Sequence, residues 1–240
     1  MDPTTKDSCL TLKSKSEFKA EEFNYELSPN IVDIGKILKD LNIRPYQRIN
    51  IKLKQGIYQW NEYFVMPEKS YISLEGEEYK DGGKNNKVTI IINNETEYER
   101  YNVKYSNPVK LAITEDSTAK IIGIDFIEQM EKTKANDPHF MGIIELRGDN
   151  SRLYFAQTIT QLSNSPFIHI SGWTLGRIIF GYSHFHKSPK SKEKKISILS
   201  TETGWGWGGS KAIVTLPKSY YTPNEECFFD KENNNIEFIY

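Results

Sequence analysis

From residue 49 to the C-terminus, apolar residues come in short runs separated by turn residues, and none reaches the length of an ordinary helix. The runs occupy 49–53, 72–74, 88–92, 109–113, 121–127, 143–146, 153–155, 167–170, 178–180, 196–199 and 212–216, and β-branched and aromatic residues dominate them. Asn85-Asn86 and Asn93-Asn94 fall between runs, where asparagine suits tight bends. Like runs recur at intervals of roughly 20 to 35 residues, a spacing that coiled repeats allow. One such rung cannot bury its inner face, whereas rungs stacked about 4.8 Å apart bury a continuous apolar column. The pattern predicts an all-β chain, a single-stranded right-handed parallel β-helix. A β-sandwich is the competing arrangement of the same strands.

The N-terminal part reads differently. Residues 1–27 are polar without clear periodicity and are read as an extended arm or cap, with the β-helix domain over 28–240. Ser28-Pro29 opens a helix, because proline fits the first turn, where its missing N–H costs nothing. Ile31, Ile34, Ile37, Leu38 and Leu41 share one face of that helix. Such a capping helix plugs the end of the coil and hides its first unpaired edge. At the other end, residues 236–240 read as a final strand.

A length of 240 residues suits one β-rich domain. With 31 basic and 32 acidic residues the net charge is -1, which lacks the basic excess of a nucleic-acid binder. The 187–195 segment is lysine-rich but short, and reads as a solvated loop. Asn94-Glu95-Thr96 matches a glycosylation acceptor, a pattern that recurs by chance. Cys9 and Cys227, near opposite ends, are expected to be free thiols. The first residues lack the apolar core of a signal peptide, and no run approaches the roughly 18 apolar residues of a membrane span. The expectation is a soluble, cytoplasmic chain without a membrane partner, or an extracellular, cell-wall one if a leader has been removed.

Several segments, in order, resemble the plant-type pectinesterase family. Ile51-Lys52-Leu53-Lys54-Gln55-Gly56-Ile57-Tyr58 followed by Ile72-Ser73-Leu74-Glu75-Gly76-Glu77 resembles the family's G-x-Y-x-E and I-T-L-x-G-E strands, with Trp60 at the glutamate position. Residues 119–126 resemble the strand leading to its F-x-N turn, and Gly142 to Asp149 its Q-A-V-A-L-R-x-x-G-D segment without the glutamine. Thr160-Gln161-Leu162-Ser163 stands for the Q-D-T-L loop, and Arg177-Ile178-Ile179-Phe180-Gly181 for D-F-I-F-G. No L-G-R-P-W segment follows. The resemblance covers roughly residues 30–200 and implies the β-helix fold more strongly than any activity.

The chemistry it implies is ester hydrolysis by two aspartates, one attacking the ester carbonyl and the other acting as acid and then base. Two close carboxyls split their pKa values and so supply one ionised and one protonated acid. Here Leu162 and Arg177 stand in the two acid positions, and neither does that work. The resemblance thus implies a degenerate esterase site in which Gln161 survives on the oxyanion side. Arg177 becomes a bidentate partner for a ligand carboxylate; if the groove is instead a repurposed enzyme's, Arg177, Glu145 or the histidines do its acid–base or electrostatic work. Glu145 and Arg147, two apart on a strand, share a face and are expected to pair as a solvated salt bridge.

Other residues carry ligand-binding potential. Trp205 and Trp207 in Gly204-Trp205-Gly206-Trp207-Gly208-Gly209 offer flat faces to a sugar ring, or cap the coil end. Gln157, Tyr182 and His184 complete the ligand-facing set. His184 and His186 share a strand face, with His169 as the nearest third imidazole, but no matched carboxylate or cysteine completes a metal site. No cofactor or metal is assigned. The sequence-level expectation is a pectinesterase-like β-helix that binds a pectin-like carbohydrate or acidic ligand in the old groove. The alternatives are a repurposed enzyme acting on a small non-pectic substrate, and a structural β-helix without ligand.

Overall fold

A computed structural model of the chain describes residues 20–30, 33–77, 86–93, 96–100, 103–129, 142–164, 166–172, 174–202, 209–217, 226–229 and 233–240. The chain opens with β1 (Glu21–Leu27) and helix α1 (Ile34–Asp40), and then winds in successive coils. The next coil lays down β2 (Gln47–Leu53), β3 (Gly56–Gln59) and β4 (Phe64–Val65). It is followed by β5 (Tyr71–Gly76), β6 (Val88–Ile92), a hairpin of β7 (Thr96–Arg100) and β8 (Val103–Asn107), and β9 (Leu111–Thr114). Then come β10 (Thr118–Ile122), β11 (Asp125–Glu128) and β12 (Ile144–Arg147), and β13 (Arg152–Ala156), β14 (Ile159–Leu162) and β15 (Ile168–Ile170). The last coils hold β16 (Leu175–Gly181), β17 (His184–Lys187), β18 (Ile196–Ser197) and β19 (Leu199–Thr201), then β20 (Lys211–Thr215), β21 (Cys227–Phe228) and β22 (Ile236–Ile239).

Each full coil contributes one strand to each of three sheets. Sheet A has eight strands in the order β1-β2-β5-β10-β13-β16-β20-β22. Sheet B runs β17-β14-β11-β6-β3 and sheet C runs β19-β15-β12-β9-β4. Neighbours in all three sheets are parallel, and β7–β8 is the antiparallel pair among the described residues. This is the parallel β-helix that the rung pattern predicts; the antiparallel pairing of a sandwich is confined to that one hairpin. No helix among the described residues is long and apolar enough to cross a membrane.

Strand alternation turns one residue in two inward. The inward set includes Ile49, Ile51 and Leu53 of β2, Leu153 and Phe155 of β13, and Ile178 and Phe180 of β16, all buried. Phe155 sits at the centre of an aromatic stack, its ring 5.7 Å from Phe126, 5.7 Å from Phe167, 6.2 Å from Phe180 and 6.0 Å from Phe185. Cys227 is a free, buried thiol, while Cys9 lies outside the described residues.

The N-terminal end refines the expectation in two ways. Residues 21–27 are the first strand of sheet A, in register with β2 from Glu21↔Gln47 to Leu27↔Leu53. The helix starts at Ile34 rather than near Pro29, because Asp33 is the better cap. Its Oδ1 accepts from the Lys36 N–H at 3.2 Å and its Oδ2 from the Asn61 N–H at 3.1 Å. Ile34 and Leu38 are buried, and Gly35 lies flush on the coil: an added Cβ would run into the Glu62 carbonyl oxygen. The helix caps the coil beside β4, and β1 closes sheet A with the charges of Glu22 and Glu26 along its exposed side.

Corners are built from left-handed residues. The links from sheet A to sheet B at Gly123-Ile124, Gln157-Thr158 and Tyr182-Ser183 each begin with one, at φ 67, 53 and 38°. Into sheet A, Lys69, Asp116 and Asn150 do the same at φ 57, 54 and 57°, each followed by a buried serine, Ser70, Ser117 and Ser151.

Candidate functional site

With Leu153, Phe155, Ile178 and Phe180 pointing in, Arg152, Tyr154, Arg177 and Ile179 must point out. Parallel register then fixes who meets whom on the outer face of sheet A. Arg48, Tyr71, Thr118, Arg152, Arg177 and Ile213 fall in one column across six strands. The neighbouring outward column is Asn50, Ser73, Lys120, Tyr154, Ile179 and Thr215. Across the two columns lies a shallow groove of ≈ 490 Å³, lined by Tyr71, Thr118, Lys120, Ile122, Arg152, Leu153, Tyr154, Arg177 and Ile179.

Its electrostatics are one-sided, for no carboxylate is among these lining residues. Lys120 Nζ lies 2.8 Å from Glu75 Oε1 at the rim, and that oxygen also accepts from Ser73 Oγ at 2.8 Å. Burial works to raise the Glu75 pKa, but the hydrogen bonds from Lys120 and Ser73 outweigh it and hold the carboxyl below its ordinary value. The Arg48 guanidinium lies 4.3 Å over the Tyr71 ring. Arg152 and Arg177 are both exposed, on adjacent strands and in register, and neither has an acidic partner among the described residues. Adjacent strands are about 4.8 Å apart, so two guanidiniums are held side by side with their donors toward solvent. A second hollow of ≈ 720 Å³ on the same face, lined by Asn24, Tyr25, Glu26, Asn50, Ile51, Lys52, Glu75 and Gly76, carries two carboxylates against a single lysine. The face therefore runs from acidic at β1 to basic at β16.

The other residues singled out from sequence are distributed over the three sheets and do not share this groove. Leu162 points inward on β14 and is 0% exposed, so an acid at that position faces the core instead of a ligand. Gln161 is half-buried on sheet B, opposite Ile127 and His186. Gln157 and Tyr182 are corner residues; Tyr182 is exposed, and the Gln157 carbonyl accepts from Asn86 Nδ2 at 2.8 Å. The same Asn86 amide donates to Asp125 Oδ1 at 2.7 Å, and burial pushes the Asp125 carboxyl up. His184 and His186 are exposed on β17, their rings 19° from parallel with centroids 6.4 Å apart. Trp205 and Trp207 lie outside the described residues.

Glu145 does pair with Arg147, Nε–Oε1 3.1 Å and Nη2–Oε2 2.7 Å, but only the arginine side of the pair meets solvent. Glu145 is 0% exposed and also accepts from Ser171 Oγ on the neighbouring coil. Burial pushes its carboxyl up, against the pull of Arg147. His169, on the next strand and 2% exposed, has Nδ1 2.7 Å from Ser200 Oγ, and so cannot join His184 and His186 on sheet B.

Sequence reasoning found Arg177 and missed its companions Arg152, Tyr154, Lys120 and Tyr71. Fold and groove together define a class, a parallel β-helix with a basic, tyrosine-edged trough on its widest sheet. Comparison with known proteins adds no nearer identity: no protein-family model, no curated protein and no solved structure matches the chain.

Proposed function

We propose that this chain is a binding protein for an acidic, ring-bearing ligand of the pectin-like oligosaccharide class, held on the outer face of sheet A. The carrying observation is the Arg152–Arg177 pair, which has no acidic partner among the described residues and is flanked by Tyr71, Tyr154 and Ile179. Guanidinium groups take carboxylates in bidentate fashion, and tyrosine rings pack on the apolar faces of sugars. A strand repeat of about 4.8 Å is close to the length of one pyranose unit, so successive carboxylates can meet successive rungs. The order of motifs resembling pectinesterases supports an origin in that family with the esterase site lost. A groove lining without carboxylates offers no acid pair for ester hydrolysis.

The test is calorimetric titration with de-esterified oligogalacturonate, its methyl ester and a neutral oligosaccharide, beside methanol release from methylated pectin. Binding is expected for the de-esterified ligand alone, and it weakens with added salt, as an exposed charge contact must. Each of Arg152→Ala and Arg177→Ala is expected to lower affinity about tenfold, the loss of one charge-assisted hydrogen bond of about 1.5 kcal/mol. Methanol release stays at background. Equal binding by wild type and the double alanine variant, or preference for the neutral sugar, overturns the reading.

A further inference from the structure

A second site, independent of the groove, lies on sheet B. There β17 is the last strand, and its residues alternate: His184 and His186 are exposed while Phe185 between them is buried. Phe185 stacks on Phe155 at 6.0 Å and meets Phe180 edge-on at 5.8 Å, which locks the rotation of the strand and holds both imidazoles on the outer side. The His184 N–H donates to the Thr158 carbonyl at 2.8 Å and pins the start of the strand. The rings lie 19° from parallel with centroids 6.4 Å apart, face to face. Lys187, the next residue, is half-buried and engaged with Glu226 at 3.4 Å, which offsets its charge.

We propose that His184 and His186 form a two-imidazole clip for a divalent transition-metal ion. Imidazole nitrogen suits copper, nickel and zinc, and for one such site the affinity order places Cu²⁺ ahead of Ni²⁺ and Zn²⁺. Metal–nitrogen bonds of about 2.0–2.1 Å lie in the ring plane, so rotation of the two exposed side chains about χ1 and χ2, from stacked to converging rings, brings one nitrogen of each onto a common ion. Two neutral donors leave both positive charges on the metal and leave coordination positions for water or an anionic ligand. Gln161 faces His186 from the neighbouring strand in register and is the position from which a third donor reaches the same ion. His169, buried on sheet C, stays outside it.

The experiment uses the full chain and Cu²⁺ or Zn²⁺ alone, by calorimetry and by the electron paramagnetic resonance signal of bound Cu²⁺. Wild type, His184→Asn, His186→Asn, the double variant and Gln161→His are compared, each checked for folding by circular dichroism without metal. One Cu²⁺ site with nitrogen couplings is expected in wild type, weakened at least about tenfold by either single change and absent from the double variant. Gln161→His is expected to tighten Zn²⁺ by supplying a third imidazole. Unchanged Cu²⁺ binding in the folded double variant overturns the assignment, as does a folded Gln161→His chain that binds Zn²⁺ no better than wild type.

Discussion

Replacing Leu162 and Arg177 by aspartate puts acids at the two positions where the pectinesterase resemblance lacks them, and the two substitutions should behave as opposites. Leu162 is 0% exposed and belongs to the apolar cluster inside the coil. Truncating such a leucine to alanine costs about 2–5 kcal/mol. Aspartate leaves a comparable void and also places a carboxyl where nothing solvates it, so its cost exceeds that range and approaches the whole stability of a domain, about 5–15 kcal/mol. Arg177 is exposed and has no acidic partner among the described residues, so Arg177→Asp is expected to stay within about 0.5 kcal/mol of wild type. The buried carboxyl also predicts a pH signature. Its folded pKa lies above the unfolded value of about 3.9. Stability is therefore fully present below that pH and falls as pH rises toward the folded pKa, by up to about 1.4 kcal/mol per unit. Urea denaturation followed by circular dichroism at pH 4 and pH 7 measures both effects. If Leu162→Asp is within about 1 kcal/mol of wild type at pH 7 and shows no pH slope, position 162 faces solvent and the argument from strand alternation is refuted.

Phe155→Ala, which empties the centre of the aromatic stack, is expected to cost about 3–5 kcal/mol in the same denaturation assay. Gly35→Ala drives a methyl into the Glu62 carbonyl and should cost about 1–3 kcal/mol, with the first loss of amide protection in α1 and the 60–62 turn by hydrogen exchange. Glu128 is buried and accepts from the Ser163 N–H at 2.8 Å, the Asn164 N–H at 3.1 Å and Asn164 Nδ2 at 2.9 Å. Burial outweighs those donors and raises its pKa, so its contribution is greatest below the unfolded value of about 4.3 and declines as pH rises toward the folded value. Glu128→Gln does not titrate, and the stability of wild type relative to this variant should accordingly shrink between pH 4 and neutrality.

Strand alternation was the part of this structure most open to sequence reasoning, since it needs only a period of two. It correctly separates Phe185 from His184 and His186, and the same alternation of Phe23, Tyr25 and Leu27 with Glu22, Asn24 and Glu26 marks β1 in what otherwise reads as an arm. The site was harder because period two assigns a face within a strand but not the sheet to which the strand belongs. That depends on corner lengths, and these are unequal: the step from sheet A to sheet B takes residues 54–55 in one coil and 77–87 in the next. Period two alone therefore puts Gln161, Glu145 and Arg177 in one groove, whereas they lie on three sheets. A repeat that crosses the irregular spacing was nevertheless present. Glu68-Lys69-Ser70-Tyr71-Ile72-Ser73-Leu74, Glu115-Asp116-Ser117-Thr118-Ala119-Lys120-Ile121 and Asp149-Asn150-Ser151-Arg152-Leu153-Tyr154-Phe155 share an acid, a left-handed corner, a buried serine and alternating apolar residues. The structure pairs them in register. Aligning on that repeat brings Tyr71, Thr118 and Arg152 together, and the groove with them.

The outward column from Tyr71 through Thr118 and Arg152 to Arg177 has the properties of a ruler. Its marks come from consecutive coils separated by tens of residues in the chain, yet backbone hydrogen bonds set the interval between them. Side-chain substitution changes what is read at a mark and leaves the interval untouched. Inserted segments at the corners, such as the β7–β8 hairpin, lengthen the chain between marks without moving them. On the reading proposed above, a ligand lying across sheet A would be measured for the repeat distance of its own groups.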